Sequence, residues 1–153
     1  MRTAMKIEFD KTYEFDYSGK VAFADLSEEE LYALYRDGRM AGPMLERQLP
    51  KHFPEIEFVD AKGYDHIDNT TGVKYDLKGF TKGGANYAPS IMVGGGRKIN
   101  IDELHKHAVT INYILSDITE FPKVRIVFKR GTDLVDYYPK GTIPYKHKEL
   151  IFE

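Results

Sequence analysis

Fifteen residues carry most of the chemistry available to this chain: Tyr64-Asp65-His66-Ile67-Asp68-Asn69-Thr70-Thr71-Gly72-Val73-Lys74-Tyr75-Asp76-Leu77-Lys78. An Asn-Thr-Thr-Gly break between two strand-like runs predicts strand, tight turn, strand. Residues two apart in a strand point to the same side, so Asp76 and Lys78 share a charged row with Lys74, while Val73, Tyr75 and Leu77 share a packing face. Pairing of 64–68 with 73–78 brings Asp65 or Asp68 beside Asp76. Two carboxylates a few Å apart repel unless a cation lies between them, and oxygen ligands of this kind suit Mg²⁺, which keeps several waters and takes one or two carboxylates plus substrate phosphates. A lysine in the same row completes a site for phosphodiester hydrolysis, in which the metal polarises the phosphate and Lys78 steadies the developing charge. With two acids beside it, an electrostatic and orienting role suits this lysine better than that of a general base.

The string Gly63-Tyr64-Asp65-His66-Ile67-Asp68-Asn69, followed by Tyr75-Asp76-Leu77-Lys78, resembles the active-site hairpin of the PD-(D/E)XK nuclease superfamily. Its pattern is an Asp, a variable spacer, then Asp or Glu, any residue, and Lys. Within that superfamily the segment is similar to type II restriction endonucleases of the PvuII type, which pair a short Gly-x-Asp-x-x-Asp-Asn turn with a Tyr-acid-Leu-Lys strand. The resemblance implies that Asp65 and Asp76 are the metal ligands and Lys78 the catalytic lysine. The second acid is Asp rather than the commoner Glu, and the spacer is one residue longer. Asp68 therefore stays open as the first ligand, although Asp65 follows Gly63-Tyr64 as the family acid follows its own turn.

The same comparison extends loosely to a preceding acidic helix and a following glycine-rich loop and helix. Glu46, in Gly42-Pro43-Met44-Leu45-Glu46-Arg47, stands where many of these nucleases carry a helix glutamate near the metals; a solvent-facing Glu on an amphipathic helix accounts for it equally well. Residues 80–100 would read DNA, with glycines that let backbone approach phosphates and with Lys82, Asn86, Arg97, Lys98 and Asn100 as the side chains suited to phosphate or base edges. Lys123, Arg125, Lys129 and Arg130 could add a phosphate-contacting edge. His105 and His107 flank Lys106 and point to different faces of a helix; one could contact phosphate, and otherwise both read as ordinary surface histidines; His66 reads as structural.

The elements that must position these groups are legible in part. Residues 5–17 alternate (Ile7, Phe9, Tyr13, Phe15, Tyr17) and predict a strand or hairpin edge, with a short returning strand at Val21 to Phe23. Ser27 followed by Glu28, Glu29 and Glu30 predicts a capped helix ending at Gly38. A second helix begins near Ala41-Gly42-Pro43 and closes at Pro50 and Pro54. A strand over Ile56 to Val59 precedes the hairpin. Asn100 or Asp102 opens a long helix through Leu104, Ala108, Ile111 and Leu115. Val124 to Phe128 reads as a buried strand, Lys129-Arg130-Gly131-Thr132 as a turn, and Leu134 to Tyr137 as another strand. Interleaved strands and helices put the chain in the α/β (α+β) class, with a restriction-endonuclease-like mixed sheet flanked by helices.

At 153 residues the chain fits a single nuclease domain over 1–153. It has no cysteine, which removes disulfides, thiolate zinc and cysteine nucleophiles together. No apolar run is long enough to span a bilayer, and the charged, alternating start does not read as a signal peptide, so no membrane association and a cytoplasmic location are expected. Residues 1–73 hold 9 Lys/Arg against 15 Asp/Glu, and residues 74–153 hold 13 against 9, so the basic half can face a polyanion. These readings combine into a Mg²⁺-dependent type II endonuclease acting on double-stranded DNA as a homodimer, since cutting both strands of a two-fold site needs two active sites. A structure-selective nuclease (a Holliday-junction resolvase or repair nickase) is the nearest alternative. A non-catalytic nucleic-acid-binding domain with surface Asp–Lys pairs is the more distant one.

Overall fold

The structure, a computed structural model, describes residues 5–61, 63–88 and 100–153, without the side chain of Asp60. Eight strands and five helices follow one another as β1 (Thr12–Asp16), α1 (Glu28–Tyr35), α2 (Ala41–His52), β2 (Ile56–Ala61), β3 (Tyr64–Asp68), β4 (Lys74–Phe80), β5 (Ala85–Asn86), α3 (Ile101–Ala108), β6 (Asn112–Asp117), β7 (Lys123–Arg130), α4 (Gly131–Tyr137), β8 (Thr142–Ile143) and α5 (Lys148–Ile151). Six of the strands form one mixed sheet in the order β1-β7-β6-β4-β3-β2. Its neighbours run antiparallel except β4 and β6, which are parallel. A parallel pair needs a long crossover connection, and here α3 lies within it.

Strand alternation sorts the core onto two faces. Tyr75 and Leu77 of β4 pack with Ile114, Ile126, Phe128 and, from the helices, Tyr35, Ala41, Leu45 and Leu49. Phe80 of β4 packs on the other face with Tyr113, Leu115 and Val127, covered by Leu104 and Ala108 of α3, Leu134 of α4 and Ile151 of α5. The sheet is thus sandwiched between α1–α2 and α3–α4–α5, a mixed α+β arrangement. Asp76 and Lys78 belong to the α3 face by the same alternation.

The helix starts follow local chemistry. Ser27 Oγ accepts from the Glu30 N–H at 3.2 Å and Glu30 returns the bond to the Ser27 N–H at 3.1 Å, a complete capping box with three acids in the positive first turn of α1. Asn100 caps α3 through Glu103 N–H. In α2, Pro50 lies within the helix rather than ending it. Proline has no N–H to give the carbonyl four residues back, here that of Glu46. That carbonyl accepts instead from His66 Nε2 at 2.7 Å, tying the helix to β3.

Four expectations are corrected. The long helix stops at Ala108, and the apolar run at 111–115 enters strand β6. Residues 129–132 are not a free turn and Leu134–Tyr137 is not a strand: β7 runs into α4 at Gly131, and Leu134 and Val135 are buried from that helix. Residues 21–23 form no strand. Gly131 explains the β7–α4 junction, because a Cβ there would stand 1.8 Å from the Ala108 carbonyl oxygen and 2.2 Å from that of Ile111. Gly131→Ala should therefore cost about 1–3 kcal/mol or more by overpacking. Gly42→Ala, where a Cβ meets nothing within 4 Å, should be neutral or stabilising by up to about 1 kcal/mol. Urea unfolding midpoints of the two variants check the contrast.

Candidate functional site

The turn of the β3–β4 hairpin is built by Asp68. Its Oδ1 accepts from Thr70 N–H and Thr71 N–H, each at 2.8 Å, and Gly72 takes the left-handed φ of 76° that the turn requires. Those two backbone donors also hold the Asp68 carboxyl below the usual aspartate range. Asp68 is thereby occupied at the hairpin tip, and of the two candidate first ligands it is Asp65 that lies farther along the ladder.

Cross-strand pairs Ile67–Lys74 and His66–Tyr75 set a register that, carried one residue further, places Asp65 opposite Asp76. Asp65 Oδ2 accepts from the Leu77 N–H at 2.9 Å, so a side chain fixes the strand where the carboxylates meet. Lys78 Nζ is 3.2 Å from Asp76 Oδ2, with only 19% of the lysine side chain and 9% of the aspartate side chain exposed. Asp65, Asp76 and Lys78 are therefore brought together on the α3 face.

Burial pushes the Asp76 carboxyl up to about 8, a hydrogen bond with the Asp65 carboxyl adds to the rise, and the Lys78 ammonium opposes it. Without a cation Asp76 therefore holds its proton near pH 7. Among the described residues no group of three or more His, Asp or Glu gathers as a metal cluster. Two carboxylates that need a proton when no cation is present nevertheless fit a hard ion such as Mg²⁺, for which protein oxygens supply only part of the coordination shell.

Two groups that the sequence does not place at the hairpin lie near the ion pair. Tyr113 is the parallel-register partner of Asp76 on β6, is fully buried, and its hydroxyl has no hydrogen-bond partner. Burial and then the Asp76 charge push its ionisation upward. His107 comes from α3, with Cε1 3.4 Å from where a Gly63 side chain would begin, and its Nε2 is buried without a partner. Burial and then the Lys78 charge keep this imidazole below its ordinary value, hence neutral near pH 7. The spacing of His105 and His107 gave no sign of this, and Tyr113 was assigned to a helix; the signal available was the β-type run Ile111-Asn112-Tyr113-Ile114.

The remaining candidates lie elsewhere. Glu46 is on α2, whose buried residues pack on the opposite face with Tyr75 and Leu77; its carboxylate is 3.7 Å from Arg47 and its carbonyl binds His66. Lys82 is in the Thr81–Gly84 turn just past β4, near Arg36, Asp37 and Thr119. Asn86 accepts from Ala88 N–H on β5, and Asn100 caps α3. Arg97 and Lys98 lie outside the described residues. In the supposed basic edge, Arg125 is bound to Asp117 at 2.8 Å and Glu149 at 2.9 Å, pinning α5 to the sheet, and Lys129 is bound to Asp10 at 2.9 Å. His66 is fully buried with one ring nitrogen satisfied, a structural placement.

No family model matches the chain, and no curated protein matches it. Among the described residues no helix is long and apolar enough to cross a membrane.

The carboxyl pair has a direct consequence for stability. An unfolded aspartate titrates near about 4, whereas folded Asp76 holds its proton to about 8. The stability this group contributes is thus full below about pH 4 and is lost as pH rises through about 8. In cation-free buffer, thermal stability should fall across that window. Asp76→Asn should flatten the fall, and Mg²⁺ should raise the melting temperature of the parent more at pH 8 than at pH 6.

Proposed function

We propose that this chain is a Mg²⁺-dependent endonuclease that hydrolyses phosphodiester bonds of double-stranded DNA, a type II site-specific enzyme of the PD-(D/E)XK kind. The observation that carries the reading is the meeting of Asp65, Asp76 and Lys78 on one half-buried strand pair. Its support is that an acid pair able to take a cation stands beside an ammonium, in a mixed sheet with helices on both faces.

Asp65 and Asp76 would hold the Mg²⁺. When bound, that ion supplies Lewis-acid polarisation of the scissile phosphate and a water of lowered pKa. The Leu77 N–H orients Asp65. The Lys78 ammonium, fixed against Asp76 and largely withdrawn from solvent, positions the nucleophile and stabilises negative charge as it builds on the phosphoryl oxygens. Water oxygen forms the new bond to phosphorus, the bond from phosphorus to the 3′ oxygen breaks, and a proton ends on that oxygen. The products are a 5′-phosphate and a 3′-hydroxyl.

Lys82, Asn86 and Asn100, with Arg97 and Lys98, form the DNA-contacting set of this proposal. A two-fold dimer belongs to the same reading, formed through the N-terminal strand and the helices at 27–50, where Leu34, Met40 and Met44 are 41%, 43% and 55% exposed. The expected location is the cytoplasm.

Plasmid digestion with purified protein and Mg²⁺ tests the activity. Distinct bands with constant end sequences are expected; a smear, or preference for four-way junctions, favours the structure-selective alternative. Asp76→Ala should abolish Mg²⁺-dependent cutting while DNA binding in a mobility-shift assay persists. Lys78→Ala should slow cutting by about 10²–10³-fold. An Asp76→Ala protein that cuts like its parent refutes the assignment.

A further inference from the structure

Three donors reach the surroundings of the carboxylate pair from three different elements. Lys78 stands on β4, His107 on α3 and Tyr113 on β6. The side chain next to Tyr113 shows what is unusual. Tyr87 packs edge-on against it with ring centres 5.3 Å apart, and the Tyr87 hydroxyl donates to the backbone carbonyls of Leu134 and Tyr138. The Tyr113 hydroxyl, buried equally deeply, has nothing to donate to.

A buried hydroxyl left unsatisfied costs on the order of 1–3 kcal/mol, and a buried imidazole nitrogen carries a similar penalty. Tyr113 is the register partner of Asp76 on β6, and His107 stands over Gly63, at the head of the strand that carries Asp65. In neutral imidazole one nitrogen carries the proton, so His107 Nε2–H can join the Tyr113 O–H and the Lys78 ammonium as a donor. Two donors without acceptors, close to the Lys78 ammonium, suit a tetrahedral oxyanion.

We propose that Lys78, His107 and Tyr113 form a phosphate-binding subsite that grips a non-bridging phosphoryl oxygen beside Asp65 and Asp76. As a role in cleavage this rests on the nuclease reading; as an oxyanion site it stands on the unpartnered donors themselves. The subsite orients the scissile phosphate before chemistry, so its loss falls on both substrate affinity and turnover.

Inorganic phosphate is the probe, added to metal-free protein at pH 7 while the His107 ring nitrogens are followed by long-range ¹H–¹⁵N correlation. A saturable shift of the His107 Nε2 resonance is expected. Its dissociation constant should weaken at least tenfold in Tyr113→Phe, which keeps the ring packing, and be lost in Lys78→Ala. In parallel, Tyr113→Phe and His107→Gln should raise KM for DNA and lower kcat, with Asp76-dependent cutting still detectable. His107 resonances in the parent protein that stay unmoved by tens of millimolar phosphate overturn the subsite, as does a Tyr113→Phe protein that binds phosphate and cuts DNA like the parent. Saturable phosphate binding in a protein that never cuts DNA upholds the oxyanion site while removing the nuclease reading.

Discussion

Two carboxyl groups meet across the β3–β4 ladder, Asp76 buried and Asp65 half-buried. Their mutual repulsion, added to the cost of burying Asp76, outweighs the attraction of Lys78 only 3.2 Å away. Such an arrangement is costly for a fold and is relieved by a proton or by a cation. A surface Asp–Lys pair would need neither, because solvent would carry the charge. The burial of this pair is thus what separates the site from an ordinary charged hairpin.

Much of the surrounding structure keeps the pair where it is. On one face, the missing N–H of Pro50 leaves the Glu46 carbonyl to His66, which locks α2 onto β3 directly behind the site. Along the strand, Asp65 is held by the Leu77 N–H. On the other face, the crossover containing α3 delivers β6 parallel to β4, setting Tyr113 beside Asp76 in register, while α3 itself brings His107 over Gly63 at the head of β3. Gly131, wedged under the Ala108 and Ile111 carbonyls, closes α4 onto the end of that crossover. The α1–α2 layer and the α3–α5 layer therefore have different tasks: the first anchors the hairpin, the second walls the charged row.

What was legible in the residues was local chemistry. The capping box at Ser27, the Asp68 turn with its glycine, and the alternation that groups Asp76 with Lys78 all depend on neighbours within a few positions, and all three are present. What was not legible depended on partners far along the chain. The run Ile111 to Leu115 satisfies a helical period as well as a strand; its pairing with β4 on one side and β7 on the other decides the outcome. Leu134 and Val135 pattern as a strand, but the close approach permitted by Gly131 turns them into a helix. The placement of Tyr113 and His107 was hidden for the same reason, since each comes near the hairpin acids only through a register or a crossover.

The central claim is that Asp65 and Asp76 together hold a divalent cation next to Lys78. A crystal grown with Mn²⁺ in place of Mg²⁺ and measured at the manganese absorption edge tests it most directly. The account predicts an anomalous peak bonded to carboxylate oxygens of both aspartates. Saturating Mn²⁺ that gives no peak between them would contradict it.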